Sequence, residues 1–481
     1  MDIVILEPAK LGDFIQSSPL VNEIIKAHPH SEIRLAALDS SVIEMAGLIF
    51  PEIKTVALEA NLQGGAKLLG KGADLVINLS LAPRVLNFLE DLKPQKIIGP
   101  QLVKGKLSLP VAQKLAMCAM TLGRRMGRLN LVDIWRSFYP KSDPRLIAPK
   151  GTHMDPQKGL IDAKIIQIDD NVPTMAFHLG AGNHLRRWPV ENHVKLAEIL
   201  YSKYPFRAVL IGTRPEEALA RKFMALYKEL VPGSEVINLV GKTSLKDLAS
   251  LISTLKLLVS SDTGIMHLAA SYGIKQLSIF CGPALAHETG PYNKNAYVLQ
   301  GLAPCGPCTE NLGCHRRQCR AIPQPSAAAF LAFEALGMPK IFEKDLDPLD
   351  GDKGIVVESY RAELDSFGFK LVPHGPFRAR LNSNNILGIS FREGARSVIY
   401  KDYENLLADK REEILKKELD KYLRAQDDTH SFGNKKFFQT LRYIAKNAFE
   451  DSRLKDIFQK NSKLLLDSLL PEKTHFKEVL P

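Results

Sequence analysis

The chain has 481 residues, 45% of them hydrophobic and 24% charged, with a formal net charge of +11. That composition is ordinary for a globular protein and leaves room for two or three domains, each burying its own core. No apolar run reaches the roughly 18 residues that cross a bilayer, and MDIVILEPAK lacks a signal-peptide pattern, so a cytoplasmic chain is expected.

Short apolar runs alternate with amphipathic stretches through the first hundred residues. Ile3–Glu7, Ile33–Leu38, Lys54–Leu58, Asp74–Ser80 and Lys96–Gly99 read as buried parallel strands. Helical spacing separates them, as at Phe14, Ile15, Val21, Ile24 and Ile25. The alternation lapses between about Val103 and Ala163. There Gln101–Lys150 carries ten Lys or Arg against two Asp, a local excess of +8. Such a stretch suits an anionic partner, and it equally suits a solvated basic face.

Alternation resumes with strands at Thr174–Gly180, Arg207–Gly212, Glu235–Gly241, Leu255–Ser261 and Gln276–Phe280. Helices are expected over Val190–Tyr204, Pro215–Leu230 and Ser244–Thr254. The chain therefore reads as two similar α/β halves in series, over residues 1–165 and 166–339. Each should bind ligands at the carboxyl ends of its strands. From 340 to 481 the character changes to a polar linker and a charge-laced amphipathic pattern at Asn405–Ala425, which reads as a mainly helical extension.

Chemistry concentrates at the strand ends. In VSSDTGIMHLAASYG, Asp262, Thr263 and Gly264 sit where a buried strand enters a helix, with His267 one turn on. Free N–H groups and the helix dipole make such a junction an anion site, and Gly264 permits close approach of a phosphate. The same residues also fit a plain N-cap beside a core histidine. HLGAGNHLRRWP brings a small-residue turn with Arg186 and Arg187, suited to a diphosphate. IGTRPEE places Glu216 where a carboxylate could accept from ribose hydroxyls. In the first half, EPAKLGDFIQSSP puts Asp13 beside Gly12 at a helix start, as a carboxylate able to take a proton from an attacking hydroxyl or as an N-cap. Lys10 and Ser17 are candidate acceptor contacts.

Cys305, Cys308, Cys314 and Cys319 follow a C-x2-C-x5-C-x4-C spacing, with only Cys118 and Cys281 elsewhere. In a reducing compartment four thiols so close suit a structural zinc or iron better than disulfides, with His315 as a substitute ligand.

With these motifs assembled, the chain resembles glycosyltransferase family 9, the bacterial ADP-heptose–lipopolysaccharide heptosyltransferases. LGDFIQSSPLVNEI resembles the family's opening loop and helix, and NLVDIW its acceptor-side motif. LGAGNHLRRWP, LIGTRPEE, NLVGKTSL, SSDTGIMHLAASYG and FCGPALAHETGPY are similar to its donor-side segments, in order, so the likeness runs from about Met1 to Leu336. It implies a GT-B architecture of two Rossmann-like domains facing across a cleft. It further implies inverting transfer of heptose from ADP-L-glycero-D-manno-heptose to the lipopolysaccharide inner core, with no catalytic cofactor. Asp13 would be the general base. Arg186 and Arg187 would offset leaving-group charge, Glu216 would contact ribose, and Asp262, Thr263, Gly264 and His267 would line the donor site. The basic stretch would then dock the enzyme on the inner face of the cytoplasmic membrane, near its anionic acceptor. A protein or another glycan as acceptor is the alternative within this chemistry. Outside it stand a catalytically dead sugar-nucleotide binder and a metal-stapled basic module on nucleic acid. No nucleic-acid partner is expected, because the positive stretch shows no aromatic interleaving.

Overall fold

The computed structural model describes residues 1–113, 128–139, 172–338 and 356–375, less short stretches within them, and the single residue Arg392. Strands β1 (Asp2–Leu6), β2 (Glu32–Ala37), β3 (Lys54–Ala57), β4 (Leu75–Asn78) and β5 (Lys96–Ile98) form a parallel sheet in the order β3-β2-β1-β4-β5. A small antiparallel hairpin, β6 (Gln101–Val103) and β7 (Lys106–Ser108), follows directly from β5. The second sheet begins with β8 (Thr174–His178), β9 (Arg207–Ile211), β10 (Val236–Asn238), β11 (Leu257–Ser261), β12 (Gln276–Phe280) and β13 (Ala296–Leu302). Two more strands, β14 (Val356–Leu364) and β15 (Phe369–Pro373), complete it, in the order β10-β9-β8-β11-β12-β13-β14-β15. Its first six strands are parallel and the last two pair antiparallel.

These strands are continuous apolar runs because helices cover both faces of a parallel sheet, so neither face can be polar. Asp2–Leu6 has four of its five residues buried, and Thr174–His178 has all five. All ten strands expected from the sequence form. The second sheet, however, continues beyond residue 339. The described part of the region expected to be a mainly helical extension is the β14–β15 pair and Arg392, with Tyr360, Ala362, Phe369 and Leu371 buried in the core. The helical pattern at Asn405–Ala425 lies outside the described residues.

The covering helices are α1 (Leu11–Ala27), α2 (Ser40–Ile49), α3 (Pro83–Leu92), α4 (Leu131–Arg136), α5 (Val190–Lys203), α6 (Glu217–Leu230), α7 (Leu245–Thr254), α8 (Gly264–Ser271) and α9 (Pro325–Leu336). Helix α1 contains Pro19, whose missing N–H leaves the Ile15 carbonyl without its helical donor. The Ser18 hydroxyl donates to that carbonyl at 2.8 Å, which keeps the helix continuous. Helix α7 starts on a reciprocal cap, with Asp247 N–H donating to Ser244 Oγ and Ser244 N–H to the Asp247 carboxylate.

In each sheet the strand order reverses beside the first strand, at β1/β4 and at β8/β11. An open α/β sheet forms its binding crevice at such a switch point, outside the carboxyl ends. The two lobes join through a single apolar core that runs from Ile3, Phe14 and Ile24 through Val132 and Ile134 to Met266, Tyr292 and Phe369. Helix α1 packs on α8 and on α4, so the amino-terminal turn of α1 meets that of α8.

Candidate active site

The two switch-point loops approach each other most closely at two glycines. A Cβ on Gly12 would stand 3.3 Å from Gly264 Cα, so small residues on both sides let the backbones come together. Asp13 follows Gly12 in the first turn of α1, where its carboxylate accepts from Lys10 N–H at 3.3 Å. Burial raises its carboxyl above the usual 3.8, opposed by the Lys10 hydrogen bond and by His267, and assisted by the nearby charge of Asp262.

Across from Asp13, Arg186 Nη1 donates to Asp262 Oδ2 at 3.0 Å. His267 Nε2 lies 3.8 Å from Asp262 Oδ1. Burial lowers His267 to about 4, with Arg186 acting in the same direction and Asp13 opposing. His267 is therefore a neutral imidazole near pH 7, able to donate from one nitrogen and accept on the other. Thr263 caps α8, its Oγ1 accepting from Met266 N–H at 3.4 Å.

Four sequence candidates, Asp13, Arg186, Asp262 and His267, thus converge at one corner with Thr263 and Gly264. The other candidates lie around this corner. Arg187 turns back to donate twice to the Ala181 carbonyl, bracing its own loop. Trp188 is buried and donates to Pro323 O at 2.8 Å, so the Trp-Pro pair anchors that loop in the core. Lys10 is exposed at the mouth of the crevice. Ser17 is buried, with its hydroxyl on Glu7 Oε2 at 2.7 Å. Glu216 accepts from Thr213 N–H at 2.7 Å and Thr213 Oγ1 at 3.1 Å, and its other oxygen lies 3.4 Å from His178 Nε2. Burial alone would raise this carboxyl, but His178 and Thr213 outweigh it and hold it at about 2. A Cβ on Gly180 would fall 1.4 Å from Glu216 Oε1, so any side chain there would push the Glu216 carboxylate from its place.

Sequence reasoning missed His178. It ends β8 at the switch point, with Nε2 facing Glu216 and Nδ1 lying 3.3 Å from Thr263 Oγ1. The residue thereby links the Glu216 loop to the Thr263 cap. Its place as the last residue of the second sheet's first strand was the available signal.

Of the four clustered cysteines, Cys308 and Cys314 are half-buried, Cys319 is buried and Cys305 lies outside the described residues, as does His315. Among the described residues no three His, Cys, Asp or Glu side chains are grouped to hold a metal ion. The basic stretch also divides. Arg128 and Arg136 are buried, Lys104 and Lys106 are exposed on the β6–β7 hairpin, and the other six basic residues lie outside the described residues.

Residues 152–316 match glycosyltransferase family 9 (heptosyltransferase). Lipooligosaccharide heptosyltransferase 2 of Haemophilus ducreyi is 27% identical over 327 residues, covering 62% of this chain and 88% of that protein. Its Haemophilus influenzae counterpart is 24% identical over 313 residues, with the same coverage. The chain thus carries, over residues 152–316, a segment of the glycosyltransferase family 9 (heptosyltransferase) type. Two solved structures share the fold. ADP-heptose lipopolysaccharide heptosyltransferase II of Escherichia coli has a TM-score of 0.51 at 18% identity, over 70% of this chain and 98% of that one. A family 9 glycosyltransferase of Veillonella parvula has a TM-score of 0.53 at 17% identity, over 69% and 96%. The chain therefore has the two-lobed α/β fold of these structures, and its matched segment is that of a glycosyltransferase. Among its described residues no helix is long and apolar enough to cross a membrane.

Proposed function

We propose that this chain is a family 9 enzyme that transfers heptose from ADP-L-glycero-D-manno-heptose to the lipopolysaccharide inner core, with inversion at the anomeric carbon. The observation that carries the reading is the placement of Asp13 on one lobe against Arg186, Asp262 and His267 on the other. The names of the relatives support heptose and a lipopolysaccharide or lipooligosaccharide acceptor.

In this mechanism the donor diphosphate lies at the amino terminus of α8, where N–H groups and the helix dipole meet its charge. Arg186, oriented by Asp262, supplies the fixed cation. Asp13 accepts the proton of the acceptor hydroxyl as its oxygen bonds to the anomeric carbon from the face opposite the diphosphate. The bond from that carbon to the phosphate oxygen breaks, and ADP leaves with the electron pair. Burial raises Asp13 above an ordinary carboxylate, which makes its ionised form a stronger base. Neutral His267 offers a hydrogen bond to a donor hydroxyl or phosphate oxygen without adding charge. In this reading the enzyme works at the cytoplasmic membrane face, where exposed Lys104 and Lys106 would favour anionic lipid.

The test is transfer of labelled heptose from ADP-heptose to core-truncated lipopolysaccharide. Asp13→Asn should lower kcat by roughly 10²- to 10⁴-fold and change the ADP dissociation constant by less than about threefold. Undiminished turnover in that variant would remove Asp13 from the mechanism. Absence of transfer by the unmodified enzyme, with transfer restored by another nucleotide sugar, would replace the donor.

A further inference from the structure

NLVDIW, which resembles an acceptor-side motif, is buried at the joint between the lobes. Asp133, on α4, accepts from Tyr292 Oη at 2.7 Å through one carboxylate oxygen and from Phe369 N–H at 3.0 Å through the other. Both donors belong to the second lobe. Arg136, one turn on, donates from Nη1 to Tyr292 Oη at 3.1 Å and from Nε to Glu23 Oε1 at 3.0 Å, and Glu23 is on α1. Asn130, the cap of α4, adds a bond from Nδ2 to Gly290 O at 3.2 Å. Tyr292 stacks on Phe369 with ring centroids 5.9 Å apart. A Cβ on Gly368 would stand 1.8 Å from Asp133 Oδ1, so the β15 approach is shaped around this carboxylate.

The chain Phe369–Asp133–Tyr292–Arg136–Glu23 therefore runs from the second sheet, through α4, to the helix that carries Asp13. Asp13 and Glu23 are ten residues apart on α1, roughly 15 Å along its axis at 1.5 Å per residue. Pro19 lies between them, and the Ser18 bond keeps that segment helical. Buried directional bonds between ionised or strongly polar groups tolerate little displacement, unlike the apolar contacts around them. We propose that Asp133, Arg136 and Tyr292 are positioning residues that set where α1, and hence Asp13, stands relative to the Asp262–Arg186 corner. They touch no substrate and act through α1. The kinetic part of this inference rests on Asp13 being the base.

Two measurements on the full-length enzyme test it. Tyr292→Phe keeps the ring stack and removes only the hydroxyl, and Arg136→Lys keeps the charge and removes the fork. Hydrogen exchange needs no substrate. In both variants amides of residues 11–27 should exchange at least about tenfold faster, while those of β8 and β11 stay unchanged. Unchanged exchange in α1 overturns the proposal whatever the donor proves to be. In the transfer assay, below the melting transition, each variant should lose about tenfold in kcat with the ADP dissociation constant within about twofold. Tyr292→Phe combined with Asp133→Ala should be hardly worse than Asp133→Ala alone, because each removes the Tyr292–Asp133 bond. Native kcat, or an equal loss in ADP affinity, also overturns it. Should the native enzyme transfer nothing from ADP-heptose, the donor assignment fails while exchange still decides this proposal.

Discussion

At the scale of single residues, the site separates side chains that the sequence places side by side. Arg186 and Arg187 are indistinguishable as neighbours in a loop, yet one reaches Asp262 and the other its own Ala181 carbonyl. Hydrogen bonds to charged groups are worth about 1.5–3 kcal/mol, so Arg186→Ala should weaken ADP binding roughly ten- to hundredfold by calorimetry. Arg187→Ala should cost stability instead, lowering the melting temperature more than the affinity. The raised carboxyl of Asp13 has a kinetic signature. A base must be ionised to work, so kcat/KM should fall toward acid through one protonation centred above pH 3.8, the ordinary aspartate value. A rate that stays flat down to that value would contradict the assignment.

At the scale of elements, the strands were legible because burial on both faces demands uninterrupted apolar runs, and such runs are visible without knowing their partners. Helix α1 was legible from its period, but its repair was not. Pro19 would ordinarily break a helix, and the Ser18 hydroxyl replaces the lost donor. Ser18→Ala should leave the buried Ile15 carbonyl unmet and cost about 1–3 kcal/mol, read as a shift of the denaturation midpoint. An unaltered midpoint would show that α1 does not depend on this bond. The β14–β15 pair was not anticipated. Val356–Leu364 is a plausible strand only once β13 offers it an edge, and nothing nearby in the sequence announces that edge.

At the scale of the whole molecule, the lobes share one apolar core through α1, α4 and α8. They should therefore unfold together, giving one calorimetric transition in which van't Hoff and calorimetric enthalpies agree over the two sheets. Two resolved transitions would mean that the joint is weaker than its packing suggests. The joint also carries a titrating group. Burial pushes Asp133 up to about 7 from 3.8, against the opposing pull of Tyr292, Arg136 and Arg392. The folded protein holds this proton to higher pH than the unfolded chain. The resulting stabilisation is complete below about pH 4 and is lost as pH rises through about 7. Asp133→Asn should flatten the decline in melting temperature between about pH 5 and pH 8. By itself the sequence determined the two α/β lobes, their strand order of appearance and the loops that hold Asp13, Arg186 and the Asp-Thr-Gly corner, since these follow from local periodicity and strand-end chemistry. Only the tertiary structure decided that Arg186 and not Arg187 faces the corner, that His178 joins Glu216 to Thr263, and that NLVDIW is a buried joint. Those facts depend on which distant segments meet, and pairing across tens of residues to more than a hundred leaves no trace in the spacing of either partner.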